Sequence, residues 1–273
     1  MIVSASIVLY NTDLDELSKA IGSIFQTSCD LQLFLIDNSP IQNLNISRLA
    51  EDSRIKYIHN PSNPGFGAAH NIAIEQAVNA GHIYHFIVNP DIYFSGDIIS
   101  PMIEYMKNYS DVGMMMPQIL NLDGSVQNLP KLLPSPYSVL MRKFKRPKSF
   151  YIDFINRYEL RFVCRDLIYN APVLSGCFTL LNLIAIKDVG MYDDKFFMYF
   201  EDWDLSRRMH EKYKTIYFPK VSVFHGYDSG ANSNRRLFKI FINSAIVYFN
   251  KWGWIWDPNR NTINKKTLAQ FTE

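Results

Sequence analysis

Four short apolar runs, each stopped by a polar cluster containing Asn or Asp, limit what this chain can fold into. They are Val3 to Leu9, Leu31 to Ile36, Ile55 to Ile58 and Tyr84 to Val88. Such runs, bounded by turn chemistry, predict buried strands. The breakers are Tyr10-Asn11-Thr12-Asp13, Asp37-Asn38-Ser39-Pro40, Asn60-Pro61-Ser62-Asn63-Pro64-Gly65 and Asn89-Pro90-Asp91. Between them, Leu14, Leu17, Ile21, Ile24 and Phe25 recur at helical spacing behind a candidate capping box of Asp13 with Glu16, and a second helix is predicted from about Gly67 to Ala80. Strands alternating with helices imply a parallel, doubly wound α/β sheet. Its strands end on one edge, where ligands bind. Tyr10, Asn11, Asp37, Asn38, Asn63 and Asp91 are expected to converge there. Pro90 cannot donate to a ladder, so the Tyr84 strand ends at it and leaves the Asp91 carboxylate just beyond. A carboxylate so placed suits a divalent cation held against phosphate oxygens; the bland alternative is an Asx-Pro turn.

Composition sets broad bounds. The 273 residues suffice for one large α/β domain or two small ones, and 48% hydrophobic with 20% charged content is globular. A net charge of +2 gives no reason to expect a nucleic-acid partner. Cys29, Cys164 and Cys177 show neither metal spacing nor a disulfide framework, which suits a reducing, cytoplasmic setting. No basic region precedes the first strand, so a signal peptide is not expected, and no apolar run reaches the roughly 18 residues of a membrane span.

The second half is less regular. A helix is expected over Pro101 to Asn108 and strands over Val112 to Met116 and Phe178 to Leu181, the last preceded by Ser175-Gly176-Cys177. Residues 117–172 are rich in Pro, Lys and Arg and read as a partly mobile surface excursion, its basic segment Arg142-Lys143-Phe144-Lys145-Arg146-Pro147-Lys148 as solvated. Glu201-Asp202-Trp203-Asp204 opens a helix to about Lys212; the acids either serve acid/base chemistry or compensate the helix dipole. Two short strands follow, Thr215 to Phe218 and Val221 to His225. From Arg235 to Lys251, Arg236, Lys239, Asn243 and Asn250 form a polar stripe opposite Leu237, Phe238, Phe241, Ile242, Ala245, Ile246 and Phe249. Trp252, Trp254 and Trp256 come next. This segment closes the core, makes a homodimer contact, or docks at the inner face of the cell membrane.

There is no P-loop, no nucleophile elbow, and no third glycine in Gly65-Phe66-Gly67-Ala68-Ala69-His70. In register, however, Ile7-Val8-Leu9-Tyr10-Asn11, Leu35-Ile36-Asp37-Asn38-Ser39, Asn60 to Gly67 with Asn71, Val88-Asn89-Pro90-Asp91, Ser175-Gly176-Cys177, Phe196 to Leu205 and finally His225 are present. This set resembles the family 2 glycosyltransferases of GT-A fold, and within them the rhamnosyltransferase-like branch.

The resemblance implies a GT-A Rossmann-like α/β domain over residues 1–226, a mostly parallel sheet flanked by helices, and a C-terminal helical extension over 227–273. It implies an inverting transferase taking a nucleotide-sugar donor, dTDP-L-rhamnose or else a UDP-hexose, to a glycan or polyprenyl-diphosphate-linked glycan. A non-catalytic sugar-nucleotide-binding module is the rival, since fold does not fix function. The family's Asp-x-Asp becomes Asn89-Pro90-Asp91, leaving Asp91, with His225, for Mg²⁺ or Mn²⁺. Asp37 matches the acceptor of a pyrimidine N–H, with Tyr10, Asn11 and Asn38 bordering the base. Asn63, Gly65, Phe66, Gly67, Asn71 and Asn89 complete the donor side, the glycines letting the backbone approach the sugar. Asp202 matches the catalytic base, with Glu201 beside it. Ser175, Gly176, Cys177 and Trp203 fall on the acceptor side. Asp204 is expected to cap its helix, and Arg207 and Arg208 either face the diphosphate or lie at the surface.

Overall fold

The computed structural model describes residues 3–145, 147–226 and 235–272. The 226/227 boundary adjoins the segment 227–234, which lies outside the described residues, as does Arg146. Four strands, β1 (Val3–Leu9), β2 (Leu31–Asp37), β3 (Ile55–His59) and β4 (Tyr84–Val88), pair in parallel in the order β3-β2-β1-β4. Their crossovers carry α1 (Leu14–Ile24), the single turn α2 (Leu44–Ser47) and α3 (Phe66–Asn79). Asp13 caps α1 by accepting from the Asp15 and Glu16 amides.

The sheet is mixed beyond β4. β5 (Ile92–Tyr93), α4 (Ile99–Asn108) and β6 (Val112–Leu120) follow in the chain, then β7 (Tyr169–Asn170) and β8 (Phe178–Asn182). β8 inserts antiparallel between β4 and β6. After α7 (Leu183–Val189) and α8 (Glu201–His210), β9 (Lys214–His225) lies parallel to β6 and antiparallel to β5 and β7. The two short strands expected on either side of Pro219 are one strand; the β6–β9 register slips between Pro117 and Gln118, where a ladder donor is missing in any case. The mixture has a functional consequence. Reversing β8 brings its amino end, Ser175 to Cys177, to the edge where β4 and β9 finish, and the Asn89 amide donates to the Cys177 carbonyl at 2.8 Å.

Residues 117–172 are not simply a solvated excursion. They hold α5 (Pro136–Phe144), with a Ser135/Ser138 capping box, and α6 (Lys148–Tyr158), whose Ile155 and Tyr158 are buried. At the C-terminus, α9 (Arg235–Trp252) and α10 (Pro258–Ala269) pack on the domain. Ala245, Tyr248 and Phe249 of α9 form a second apolar cluster with Phe196, Phe200, Trp203, Leu133 and Val173. The expected apolar face of α9 is therefore divided: Ala245 and Phe249 are buried, while Phe238, Ile242 and Ile246 stay exposed. Among the described residues no helix is long and apolar enough to cross a membrane.

β1 is buried on both faces. Val3, Ala5, Ile7 and Leu9 face one way; Ser4 and Ser6, on the other, bond to two buried histidines. Ser6 Oγ lies 2.7 Å from His70 Nδ1 and 2.8 Å from His85 Nε2, and Ser4 Oγ lies 2.8 Å from His85 Nδ1. Burial drives both imidazoles to low pKa, His85 to about 3, so both are neutral.

Candidate active site

A cavity of about 460 Å³ opens at the carboxyl edge of the sheet. It collects Phe66, Asn89, Asp91, Ser175, Gly176, Cys177, Glu201, Asp202, Trp203 and His225. Tyr10, Asn11, Asp37, Asn38, Asn63, Gly65, Gly67 and Asn71 lie outside its lining.

The acidic wall is built by strain and packing. Tyr199 and Phe200 both have positive φ, 70° and 67°, a conformation costing an L-residue roughly 1–2 kcal/mol each. Phe200 is held there by an aromatic box: Trp203 at 4.5 Å, Phe241 at 5.2 Å and Tyr248 at 5.5 Å between ring centres. The turn starts α8 with Glu201 and Asp202 aimed into the cavity. Asp202 accepts from the Gly176 amide at 3.2 Å and the Trp203 amide at 2.9 Å. Burial raises its pKa, while those amides and the nearby Lys131 ammonium pull it back. Glu201 has less support. Burial and the Asp202 charge push it well up, and its Oε2 is buried without a partner. Of the two, Asp202 is the carboxylate that stays ionised more readily, and Glu201 the one that keeps its proton.

On the opposite wall, Asp91 Oδ2 lies 3.3 Å from His225 Nε2, and Asn89 Nδ2 is 3.3 Å from the same nitrogen. Gln127 fixes the imidazole from behind, its Oε1 3.1 Å from His225 Nδ1 and its Nε2 donating to the His225 carbonyl. Among the described residues no three His, Cys, Asp or Glu side chains group to hold a metal. Even so, the Asn89 Oδ1 atom is buried without a hydrogen-bond partner beside Asp91 and His225. An amide oxygen, a carboxylate and an imidazole form a donor set that fits Mg²⁺ or Mn²⁺ with further oxygens from a ligand. Glu16, the other half of the expected capping box, has its carboxyl raised by burial and by the Asp91 charge.

Several residues expected on the donor side make bonds within the scaffold. Asp37 has no exposed surface: Tyr57 donates to Oδ2 at 2.6 Å and the Ser39 amide to Oδ1 at 3.0 Å. Direct contact with a pyrimidine therefore requires the Tyr57 hydroxyl to turn aside. Asn38, also buried, accepts from Asn60 at 3.0 Å. Tyr10 is 49% exposed, and Asn11, at φ 50°, has its amide on Ser39 Oγ. Asn63 also takes a left-handed turn, φ 44°. The two glycines are also required by close approach within the protein. A Cβ on Gly65, where φ is 105°, would stand 2.1 Å from the Phe197 carbonyl oxygen, and one on Gly67 would stand 2.8 Å from Tyr192 Cβ. Asn71 clamps the same loop, donating to the Tyr192 carbonyl and Asp194 and accepting from the Tyr192 amide.

α8 departs from expectation as well. Asp204 is not its cap but a buried acceptor for Arg208 Nε, Trp252 Nε1 and Lys251 Nζ, each at 2.8 Å. Arg207 does not face the cavity: it forks onto Asp257 at 2.6 and 2.7 Å and lies 4.0 Å from the Trp252 ring. Arg208 donates to the carbonyls of Val189, Gly190 and Met191. Cys177 is buried and its thiol pushed up to about 12, so it lines the cavity without being a nucleophile.

The sequence reading missed the third wall. Lys131 is buried, and burial lowers its amine to about 8 while it donates to the Leu129 carbonyl. Arg142 and Lys143, expected in a solvated loop, line the cavity from α5, and Phe238 and Phe241 line it from α9. A lysine inside the apolar run Leu129 to Leu133 was the available signal.

A mixed sheet flanked by helices, with acids at the head of α8 facing an Asn-Pro-Asp turn across one cavity, defines a GT-A type glycosyltransferase fold. The chain belongs to glycosyl transferase family 2, whose sequence model matches residues 4–168. It is similar to the N-acetylglucosaminyl-diphospho-decaprenol L-rhamnosyltransferase of Mycobacterium tuberculosis, 24% identical over 212 residues, 73% of this chain and 67% of that protein. It is also similar to rhamnosyltransferase WbbL of Escherichia coli strain K12, 26% identical over 185 residues, 64% of each. Among solved structures, GalNAc-T7 with UDP, GalNAc and Mn²⁺ superposes with TM-score 0.63 at 14% identity, over 92% of this chain and 49% of that one. S. aureus TarS 1-349 with UDP superposes with TM-score 0.60 at 11% identity, over 99% and 71%. The chain thus spans about half of GalNAc-T7, and these likenesses show the fold alone.

Proposed function

We propose that this chain is an inverting glycosyltransferase that moves L-rhamnose from dTDP-L-rhamnose onto a lipid-linked or polysaccharide precursor. The observation that carries the reading is the cavity itself. Asp202 on one wall and Asn89, Asp91 and His225 on the other leave room for a sugar between a base and a diphosphate. Names of the relatives favour rhamnose as donor sugar and a polyprenyl diphosphate-linked acceptor; a UDP-hexose is the alternative donor. Asp91, His225 and the Asn89 oxygen would hold a divalent cation. That cation, when bound, would neutralise the departing nucleoside diphosphate.

The chain's own residues do the rest. Asp202, whose carboxylate form two amides and Lys131 support against burial, takes the proton of the acceptor hydroxyl as it attacks the anomeric carbon from the face opposite the diphosphate. Protonated Glu201 adds no second negative charge near the incoming oxygen and can donate to the acceptor. Tyr10 and Asn11 offer the exposed surface for a nucleobase. Trp203 and Phe66 offer apolar faces for a sugar.

The test is transfer from dTDP-L-rhamnose with Mn²⁺ to a short acceptor, comparing wild type with Asp202→Asn. Turnover should fall roughly 10²-fold with donor KM nearly unchanged. Turnover within a few-fold of wild type, with Glu201→Gln inactive, would reassign the base. Thermal stabilisation by a UDP-hexose but not by dTDP-L-rhamnose would overturn the donor assignment.

A further inference from the structure

The cavity's third wall is made by two helices that turn an apolar, basic surface outward around its mouth. On α5, Tyr137, Leu140 and Phe144 are 59%, 54% and 66% exposed and recur at helical spacing. On α9, Phe238, Ile242 and Ile246 do the same, at 38%, 41% and 41%. The stripes adjoin, because Lys143 of α5 sits 4.6 Å over the Phe238 ring of α9. Residues of both helices line the cavity, α5 with Val139, Arg142 and Lys143 and α9 with Phe238 and Phe241.

Charge indicates the occupant. The chain as a whole is only +2, yet neither helix contains an Asp or Glu. α5 carries Arg142 and Lys143, followed by Lys145 and Lys148; α9 carries Arg235, Arg236, Lys239 and Lys251. Arg142 is paired with Glu159 and Lys251 with Asp193 and Asp204, so the charge offered to a partner is that of Lys145, Lys148, Arg235 and Lys239, all exposed. An exposed apolar stripe on two helices that carry cations and no acid matches an anionic bilayer, whose headgroups meet the lysines and whose acyl boundary meets Leu140, Phe144, Ile242 and Ile246.

We propose that α5 and α9 form a docking surface for an anionic phospholipid membrane, placing the cavity mouth against the bilayer. The proposal deepens the reading of a lipid-linked acceptor and rests on it for its purpose. The surface differs from the tryptophan cluster expected from sequence: Trp252 is tied to Asp204 and Arg207, leaving Trp254 and Trp256 as the exposed members.

The experiment is co-sedimentation of the full chain with phosphatidylglycerol-containing vesicles, then with pure phosphatidylcholine vesicles, at low and high salt. It needs neither donor nor acceptor, so it fails or succeeds independently of the transferase reading. Binding should require the anionic lipid and weaken with salt. Leu140→Ser with Phe144→Ser, and separately Ile242→Ser with Ile246→Ser, should each weaken it at least about tenfold. None of these four side chains lines the cavity, so transfer to a water-soluble acceptor should be unchanged while transfer to a vesicle-borne acceptor falls. Absence of vesicle binding at low salt, or equal binding by both variants with circular dichroism and melting unchanged, would overturn the proposal. So would a dimer in sedimentation velocity that the same substitutions dissociate without any vesicle binding, because the stripe would then cover a second copy.

Discussion

Acid should unfold this protein through the histidines beneath its central strand. His70 and His85 are fully buried, and both imidazoles are held neutral by burial, with Ser4 and Ser6 as their partners. Their folded pKa values lie below the unfolded value of about 6.5. The unfolded chain therefore binds protons first as pH falls, and stability is lost below about pH 6.5 until the folded pKa is reached, about 3 for His85. Each histidine adds a slope of up to roughly 1.4 kcal/mol per pH unit, so His85 alone costs about 2.5 kcal/mol between pH 7 and 4.5, and His70 adds to the loss in the same direction. His210, lowered by burial to about 4, acts in the same direction. Glu201 and Asp202 act oppositely: their raised pKa values let the folded state take up protons first, which offsets part of the loss. Because domains are stable by roughly 5–15 kcal/mol, cooperative unfolding is expected within this window. Urea denaturation followed by circular dichroism at half-unit pH steps measures it, with His85→Gln as the variant. The variant should be less stable at pH 7 and shallower by about one proton. A stability flat from pH 7 to 5, or a slope unchanged by His85→Gln, would refute the assignment of the slope to this network.

Asp91→Ala and His225→Ala should each abolish the added thermal stabilisation that Mn²⁺ gives in the presence of dTDP, without moving the melting temperature of the protein alone by more than a few degrees. Gly65→Ala should be poorly folded or several degrees less stable in a melting scan, because its Cβ would meet the Phe197 carbonyl at 2.1 Å; a wild-type melt would mean the loop relaxes freely. Asp257→Ala should cost roughly 3–5 kcal/mol in urea denaturation by leaving Arg207 buried without its fork partner.

The first half of the fold was legible because its strands are parallel and mostly buried, so each is a short, largely apolar run closed by Asn, Asp or Pro. The second half was not, for physical reasons. Pro117 and Pro219 look like strand breakers but sit at a slip in the β6–β9 register. The Lys- and Arg-rich stretch looks like solvated loop because its cations hide how α5 and α6 bury Met141, Ile155 and Tyr158. Of the residues that line the cavity, those beside a strand or helix end were legible and those reaching in from elsewhere were not. Asp91, Glu201, Asp202 and His225 are announced by their positions after or before regular elements. Lys131 is announced only by being a lysine among leucines and prolines. Sequence does not reveal that the Tyr192 to Phe197 loop lies against Asn71 and Gly65, so those contacts were not legible.

The catalytic arrangement depends on residues far away in the chain. Two consecutive left-handed residues, Tyr199 and Phe200, store roughly 2–4 kcal/mol of backbone strain. Such a turn persists only if packing leaves it no alternative. That packing comes largely from α9, through Phe241, Tyr248 and Phe249 around the Phe200 ring. α9 is in turn fastened to α8 by polar contacts in its own last turn and just beyond: Lys251 and Trp252 on Asp204, and Asp257 on Arg207. Asp204 and Arg207 stand on the same helix as Asp202, within about one and a half turns of it. The C-terminal helices thus hold the turn that aims Asp202, the proposed base, into the cavity. Loss of the Asp257 fork should for that reason lower kcat more than donor KM at temperatures where the protein stays folded, since Tyr10, Asn11 and Asp91, expected on the donor side, follow β-strands and do not stand on α8. Equal changes in the two parameters would place the effect of Asp257 on stability alone.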